Sequence, residues 1–140
     1  MTIQEKEDEI TAEFEFLTDW LDKYELIIDK GNANKGIDEK YKTEQYLIEG
    51  CQSKVWVHAE YRDGKVYYEG ESNTEIVGGI ISMLVEVLSG ETPDAILDAK
   101  LDFIEKIGLK EHLSPTRSNG MLAMIKQMRM YALVFKEKNA

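Results

Sequence analysis

An alternating pattern in the middle of the chain constrains its fold more than any other feature. From position 55 every second residue is apolar, at Val55, Val57, Ala59 and Tyr61. Asp63-Gly64 follows, a dipeptide typical of two-residue hairpin turns. With these two residues as the turn, the facing pairs are Tyr61–Val66, Ala59–Tyr68 and His58–Glu69. The pattern therefore predicts an antiparallel hairpin with one apolar face, which other elements must cover.

The first third of the chain has the spacing of an amphipathic helix. Its apolar residues recur every three or four positions, at Ile10, Phe14, Leu17, Leu21, Tyr24 and Ile28. A break at Thr11 or Thr18 fits equally well, so one helix and two helices meeting at an angle are both open. Gly31 is predicted to end this helical region. Residues 31–43 predict a surface loop, and residues 46–48 could add a short third strand.

Helical patterns return after the hairpin. Ser72 and Glu75 have capping-box spacing, and residues 76–88 are apolar on nearly every side, which predicts a buried central helix. The pattern of residues 101–107 predicts another short turn or helix, closed by Gly108. Thr92-Pro93 and Ser114-Pro115 are typical helix starts, the second opening a long last helix. We predict a single α+β domain over residues 1–140, with helices packed on one face of a small antiparallel sheet.

The composition excludes several classes of function. The chain carries 27 Asp and Glu against 17 Lys and Arg, a net charge of −10, and no basic cluster stands out, so nucleic acid is not an expected partner. No stretch reaches the ~18–20 apolar residues that a membrane span needs. The acidic residues 1–10 are unlike the cationic start of a signal peptide. A single cysteine agrees with a reducing, cytoplasmic location.

Cys51, the only cysteine, is the first candidate for chemistry. It follows Gly50 and precedes the first strand, which predicts a turn at the end of the sheet. A thiol on such a turn can be presented to another protein. The alternative is a small buried apolar residue, the commoner fate of an unpaired cysteine. Its polar neighbours Gln52, Ser53 and Lys54 favour the functional interpretation.

Arg117 is the second candidate. Ser114 and Pro115 would place it in the first turn of a helix, where the helix dipole disfavours a cation by ~0.3–1 kcal/mol. A cation at such a position invites a functional explanation, such as pairing with a carboxylate or stabilising a thiolate or persulfide. An exposed arginine that reaches solvent is the alternative, and the residue pattern leaves both open.

The other reactive side chains favour structural roles. His58 lies on the polar face of the predicted hairpin and His112 in a capping region, and neither has metal-ligand spacing. Packing in the core is predicted for Met121, Met124, Met128 and Met130. An acidic first helical turn is predicted for Glu5, Glu7, Asp8 and Glu9. No phosphate-binding glycine motif is present, and we expect no metal or cofactor site.

Two strings resemble the SufE family of sulfur-acceptor proteins. The first is Gly50-Cys51-Gln52-Ser53-Lys54-Val55-Trp56, and the second is His112-Leu113-Ser114-Pro115-Thr116-Arg117-Ser118-Asn119-Gly120. The resemblance also includes Trp20, Lys23 and Tyr24 and extends over roughly residues 10–132. Finding both strings in this order is far more specific than finding either alone.

The resemblance implies a fold shared with the cluster scaffold protein IscU, with Cys51 accepting sulfur as a persulfide and Arg117 near it. The donor would be a SufS-type cysteine desulfurase, which this protein stimulates and whose pyridoxal phosphate does the carbon–sulfur chemistry. The receiver would be SufB of the SufBCD scaffold, for iron–sulfur cluster assembly. The protein would then be a sulfurtransferase-type carrier that acts with its partner and holds no cofactor.

Three departures from the family pattern concern the loop and the partner surface. Gly36-Ile37-Asp38 replaces a Pro-x-Pro-like stretch, Tyr46 replaces a common asparagine, and Asn73 stands where many members have Asp. We also expect Cys51 to rest in an apolar pocket and its loop to open on docking. The alternatives are a CsdE-like carrier that serves other acceptors, a non-catalytic adaptor with a structural cysteine and, last, a hydrolase using Cys51 and His112.

Overall fold

The computed structural model describes residues 1–139. Its elements are α1 (Ile3–Glu15), α2 (Trp20–Ala33), β1 (Val55–Arg62), β2 (Lys65–Ser72), α3 (Glu75–Leu88), α4 (Pro93–Asp98), α5 (Phe103–Lys106), α6 (Leu109–His112) and α7 (Pro115–Lys138). Two single-turn 3-10 helices, Glu39–Tyr41 and Glu44–Tyr46, lie between α2 and β1. The predicted α+β class, with helices packed on a small antiparallel sheet, is confirmed.

The hairpin has the register that its sequence predicts. Tyr61 pairs with Val66, Ala59 with Tyr68 and His58 with Glu69. Asp63 (φ 51°) and Gly64 (φ 80°) form the turn, and positive φ at both positions is the geometry that suits hairpin twist. The buried face consists of Val55, Val57, Ala59, Val66 and Tyr68. The possible third strand is reduced to an isolated bridge between Leu47 and Trp56.

Helix α3 lies at the centre of the molecule, as its apolar pattern predicts. Ten of its fourteen residues are buried, and it contacts α1, α2, α7 and the apolar face of the hairpin. The predicted capping box is wrong, because Ser72 ends β2 and the residue that precedes α3 is Thr74. The hydroxyl of Ser72 accepts a hydrogen bond from the Thr74 N–H at 3.3 Å instead.

The crossing of α2 and α3 depends on glycine. A Cβ on Gly31 would lie 2.8 Å from the backbone nitrogen of Gly79, and a Cβ on Gly79 would overlap the carbonyl oxygen of Ile27. The prediction that Gly31 ends its helix is therefore wrong. Helix α2 continues to Ala33 because Gly31 is needed inside it, where the two backbones approach each other.

The N-terminal apolar pattern forms two helices that break at residues 16–19. The predicted stripe fails after the break, since Leu21 is exposed and Ile27 is buried. Glu7 is not part of an acidic solvent-facing turn. It is only 2% exposed, and its carboxylate accepts a hydrogen bond from the Phe103 N–H at 3.2 Å, which joins α1 to the start of α5.

The C-terminal helices close the core and direct α7 towards the hairpin. The two predicted caps are confirmed, since Thr92 Oγ1 accepts from the Ala95 N–H and Ser114 Oγ accepts from the Arg117 N–H, each at 3.2 Å. Buried apolar residues from all seven helices and both strands form one cluster. Met121, Met124 and Met128 belong to it, whereas Met130 is exposed, contrary to prediction.

Candidate functional site

A five-residue segment, residues 49–53, carries Cys51 between two fixed points. At its start, the Ile48 N–H donates to the Val55 carbonyl oxygen at 2.9 Å. At its end, the Lys54 N–H donates to Asn73 Oδ1 at 3.0 Å, and the Asn73 N–H donates to the Lys54 carbonyl oxygen at 3.1 Å. Asn73 therefore holds the base of the segment to the turn between β2 and α3.

Cys51 turns back from this segment onto α7. Gly50 has φ +92°, a conformation that glycine adopts without strain, and Cys51 follows it half-buried. The thiol donates a hydrogen bond to the Gly120 carbonyl oxygen, with Sγ 3.4 Å from that oxygen. A Cβ on Gly120 would also stand 3.4 Å from Sγ. The sulfur thus rests against the backbone of α7 at a position without a side chain.

A small cavity of about 100 Å³ adjoins the thiol. It is lined by Cys51, Gln52, Ser53, Val77, Thr116, Arg117, Gly120 and Met124. Val77 and Met124 form an apolar side, while the start of α7 and the Cys51 segment form a polar side. Such a cavity is small, but its volume exceeds that of the one sulfur atom that a persulfide adds.

Burial raises the pKa of the Cys51 thiol above its usual value of 9.0. The physical cause is desolvation, which disfavours the charged thiolate. Because the thiolate is the nucleophile, Cys51 is mainly protonated and weakly reactive at neutral pH in this conformation. Exposing the sulfur to water would therefore raise its reactivity.

Arg117 lines the same cavity as Cys51, although the two are far apart in sequence. Proline at the first position of α7 and the Ser114 cap place Arg117 in the first helical turn. Its side chain is exposed and lines the same cavity as Cys51. Within residues 1–139 it forms no ion pair. Cys51 and Arg117 thus border one cavity, and an anion bound there could be within reach of the guanidinium.

The two histidines are held elsewhere. His58 stacks on Tyr41 with ring centroids 3.6 Å apart, and its Nδ1 lies 3.3 Å from Glu69 Oε2. His112 stacks on Trp20 at 4.2 Å. Neither lines the Cys51 cavity, so a Cys–His pair finds no support.

Four residues of the site were not singled out as functional from the sequence. Val77 and Met124 carry only a core signal, since nothing local marks which buried residues border the cavity. Thr74 carries no functional signal in the sequence, although its hydroxyl donates to Ser53 Oγ at 3.0 Å. Ser53 is marked in the sequence only as a polar neighbour of Cys51. Long-range packing alone brings Val77, Met124 and Thr74 to the Cys51 segment.

Two other kinds of feature are absent from residues 1–139. No group of three or more His, Cys, Asp or Glu side chains has the arrangement of a metal site. None of the helices described combines the length and apolar character needed to cross a bilayer.

Comparisons with known proteins agree on one family. A family model described as "SufE: Fe-S metabolism associated domain" matches residues 8–132. A SufE-like protein of Synechocystis sp. is 35% identical over 127 residues, covering 91% of this chain and 80% of the relative. A SufE-like protein of Rhizobium meliloti is 37% identical over 131 residues, covering 89% of this chain and 93% of the relative.

A plant protein and a solved structure extend the comparison. SufE-like protein 1 of Arabidopsis thaliana, described as chloroplastic/mitochondrial, is 36% identical over 95% of this chain, which spans 36% of that longer protein. The solution structure of a hypothetical protein from Thermus thermophilus superposes with a TM-score of 0.74, at 23% identity, covering 91% of this chain and 93% of that one. At this identity the structure supports the fold alone.

Proposed function

This chain belongs to the SufE family, whose domain is associated with Fe–S metabolism, and we propose that it is a sulfur carrier that accepts a persulfide sulfur on Cys51. The observation that carries the proposal is the position of Cys51, half-buried on a short segment and lining a small cavity that Arg117 also lines. A carrier must expose its thiol for one reaction and shelter it otherwise. A half-buried thiol on a short segment suits both requirements.

The proposed reaction is a persulfide transfer without net oxidation. The Cys51 thiol first loses its proton, and the thiolate attacks the outer sulfur of a persulfide on the donor's cysteine. A new S–S bond forms on Cys51, the S–S bond of the donor breaks, and the electron pair leaves with the donor's cysteine thiolate, which can take up the proton. One thiol and one persulfide are present before and after the step, so no further oxidant or reductant is needed.

Arg117 supplies the positive charge that this step requires. The attacking thiolate and the product persulfide are both anions, and a guanidinium close by favours an anionic sulfur over its protonated form. The side chain is exposed and has no carboxylate partner within the described residues, so it need not break an ion pair to act. We assign Arg117 the role of stabilising the anionic sulfur or contacting the donor.

The partners follow from the same proposal. The donor is a SufS-type cysteine desulfurase, which this protein stimulates, and the receiver is SufB of the SufBCD scaffold. Residues 1–140 act as one SufE-like domain, which the single apolar cluster supports. The single cysteine supports a reducing, cytoplasmic location.

Mass measurement tests the proposal directly. The protein is mixed with a SufS-type desulfurase and L-cysteine, and its intact mass is measured. Because the chain has a single cysteine, an added sulfur in the wild type that is absent in Cys51→Ser assigns the acceptor without mapping. Cys51→Ser should still bind the desulfurase. No mass gain beside an active donor would refute the proposal.

A non-catalytic adaptor is the second candidate function, and the burial of Cys51 favours it. A half-buried cysteine with a raised thiol pKa is also what a structural residue would show. Under this alternative, Cys51→Ser would leave desulfurase stimulation intact. A CsdE-like carrier would gain the sulfur but would not deliver it to SufB, so adding purified SufBCD to the loaded protein separates the two carriers.

A further inference from the structure

Thr74 occupies the capping position of α3 without capping the helix. Its backbone has the extended geometry of an N-cap residue (φ −122°, ψ 146°), yet its side chain makes no capping hydrogen bond. A threonine at this position normally accepts a bond from a first-turn N–H. Here Thr74 Oγ1 instead donates to Ser53 Oγ at 3.0 Å, which connects α3 to the segment that carries Cys51.

Few bonds hold this segment inside its two fixed points. The bonds at Ile48 and Lys54 fix the two ends of the segment, through the backbone of Val55 at one end and through the backbone and side chain of Asn73 at the other. Between them, the described side-chain hydrogen bonds are Cys51 Sγ to the Gly120 carbonyl and Thr74 to Ser53. The first is a thiol bond at 3.4 Å, and thiols are weak donors. The Thr74–Ser53 bond is therefore the stronger of the two.

We infer that Thr74 is a positioning residue that holds Cys51 against α7 through its bond to Ser53, and that the Cys51 segment opens when this bond breaks. The inference rests on the proposed function, since opening has a purpose only if Cys51 meets a donor. Asn73 keeps the base of the segment fixed while residues 49–53 move. Both hydroxyls belong to half-buried residues, so a docking protein can compete for them.

The strength of the bond suits this role. A neutral hydroxyl–hydroxyl bond shifts an opening equilibrium by only about three- to tenfold. Such a bond keeps the thiol sheltered in the free protein and still yields to the larger contacts of a protein interface. A hydrogen bond to a charged group at this position would resist opening more strongly.

The test measures alkylation of Cys51 by iodoacetamide in the isolated full chain at one pH. We expect Thr74→Val and Ser53→Ala each to speed alkylation about three- to tenfold, the double variant to be no faster than either, and Thr74→Ser to restore the wild-type rate. Thr92→Val is the matched control, because Thr92 is also an N-cap threonine but its hydroxyl caps α4. It should lower the melting temperature and leave alkylation unchanged.

Each remaining outcome counts against the inference. A wild-type alkylation rate in Thr74→Val overturns it, and so does an equal acceleration in Thr92→Val, which would mean that general destabilisation exposes the thiol. The sulfur-loading experiment gives a separate answer. If Thr74→Val and Ser53→Ala speed alkylation but the wild type gains no sulfur from a desulfurase, Thr74 remains a positioning residue and the carrier function is rejected. If the wild type gains sulfur but the two variants are alkylated at the wild-type rate, only the role of the Thr74–Ser53 bond is rejected.

Discussion

The sulfur of Cys51 lies 3.4 Å from the carbonyl oxygen of Gly120, on a turn of α7 that has no side chain at that point. The bond and the contact surface both come from helix backbone. Because Gly120 has no side chain, the thiol packs against α7 in space that a larger residue would fill.

Enlarging Gly120 should expel Cys51 from its resting place. Gly120→Val adds methyl groups beyond a Cβ that already stands 3.4 Å from Sγ, so we expect faster alkylation of Cys51 at neutral pH. Gly120→Ala is the control, since its Cβ makes an ordinary contact and it should raise helix stability by up to ~1 kcal/mol. Equal alkylation rates in the three proteins would contradict this account.

Alkylation of Cys51 should depend on pH in a way that reports its burial. Because burial raises the pKa of the thiol above 9.0, the alkylation rate of the isolated protein should still be rising above pH 9. Each unit of increase in the pKa lowers the thiolate fraction at neutral pH about tenfold. In urea the midpoint should fall towards the ordinary value. A folded-state midpoint below that of the unfolded chain would show a stabilised thiolate instead.

Replacing Arg117 should impair sulfur loading without harming the fold. The side chain is exposed in the first turn of α7, and removing a cation there should leave stability unchanged or raise it by ~0.3–1 kcal/mol. We expect Arg117→Gln to slow sulfur loading on the order of tenfold, in line with the loss of one hydrogen bond to a charged group. Arg117→Lys should retain part of the rate. Loading at the wild-type rate in Arg117→Gln would remove Arg117 from the site.

The pH dependence of stability should reveal Glu7. Burial raises the pKa of its carboxyl above 4.5, and the Phe103 N–H bond opposes this only in part. The folded chain therefore binds this proton more tightly than the unfolded chain, so stability falls as pH rises from 4.5 through the raised value. Urea unfolding should show this fall in the wild type and not in Glu7→Gln. The exposed Glu9→Gln serves as control and should behave as wild type.

Gly78 and Gly79, neighbours at the crossing of α2 and α3, allow two matched substitutions to be compared. Gly79→Ala would press a methyl group onto the Ile27 carbonyl, and we expect a loss of about 1–3 kcal/mol or more in the free energy of unfolding. Gly78→Ala meets no atom within 4 Å and should gain about 0.5–1 kcal/mol from helix propensity. Similar effects of the two changes would show that α2 and α3 do not approach closely at this point.

Local patterns predicted the elements that depend on neighbours in sequence. The hairpin register follows from Asp63-Gly64 and the alternation on either side, because a two-residue turn leaves one pairing that buries the apolar face. The caps at Thr92 and Ser114 involve residues three positions apart. Such features need no knowledge of the rest of the chain.

The failed predictions at Gly31 and Glu7 share one cause, which is contact between distant segments. Gly31 is a residue type expected at a helix end, but it lies inside α2 because the backbone of Gly79 approaches it closely. Glu7 has the pattern of a solvent-facing acid, but Phe103 offers it a buried N–H. In each case a partner far along the chain outweighs a local preference that is worth only about 1 kcal/mol.

The features of the site also divide into local ones, which the sequence predicts, and long-range ones, which it does not. The sequence by itself determined that Cys51 follows a glycine turn ahead of β1 and that Arg117 lies in the first turn of a capped helix, since both depend on adjacent residues. Only the tertiary structure decided that α7 brings Arg117 and Gly120 to Cys51, that the thiol is half-buried, and that Thr74 bonds to Ser53. Burial and long-range hydrogen bonds arise when helices and hairpin close on one core, and no local pattern encodes that closure.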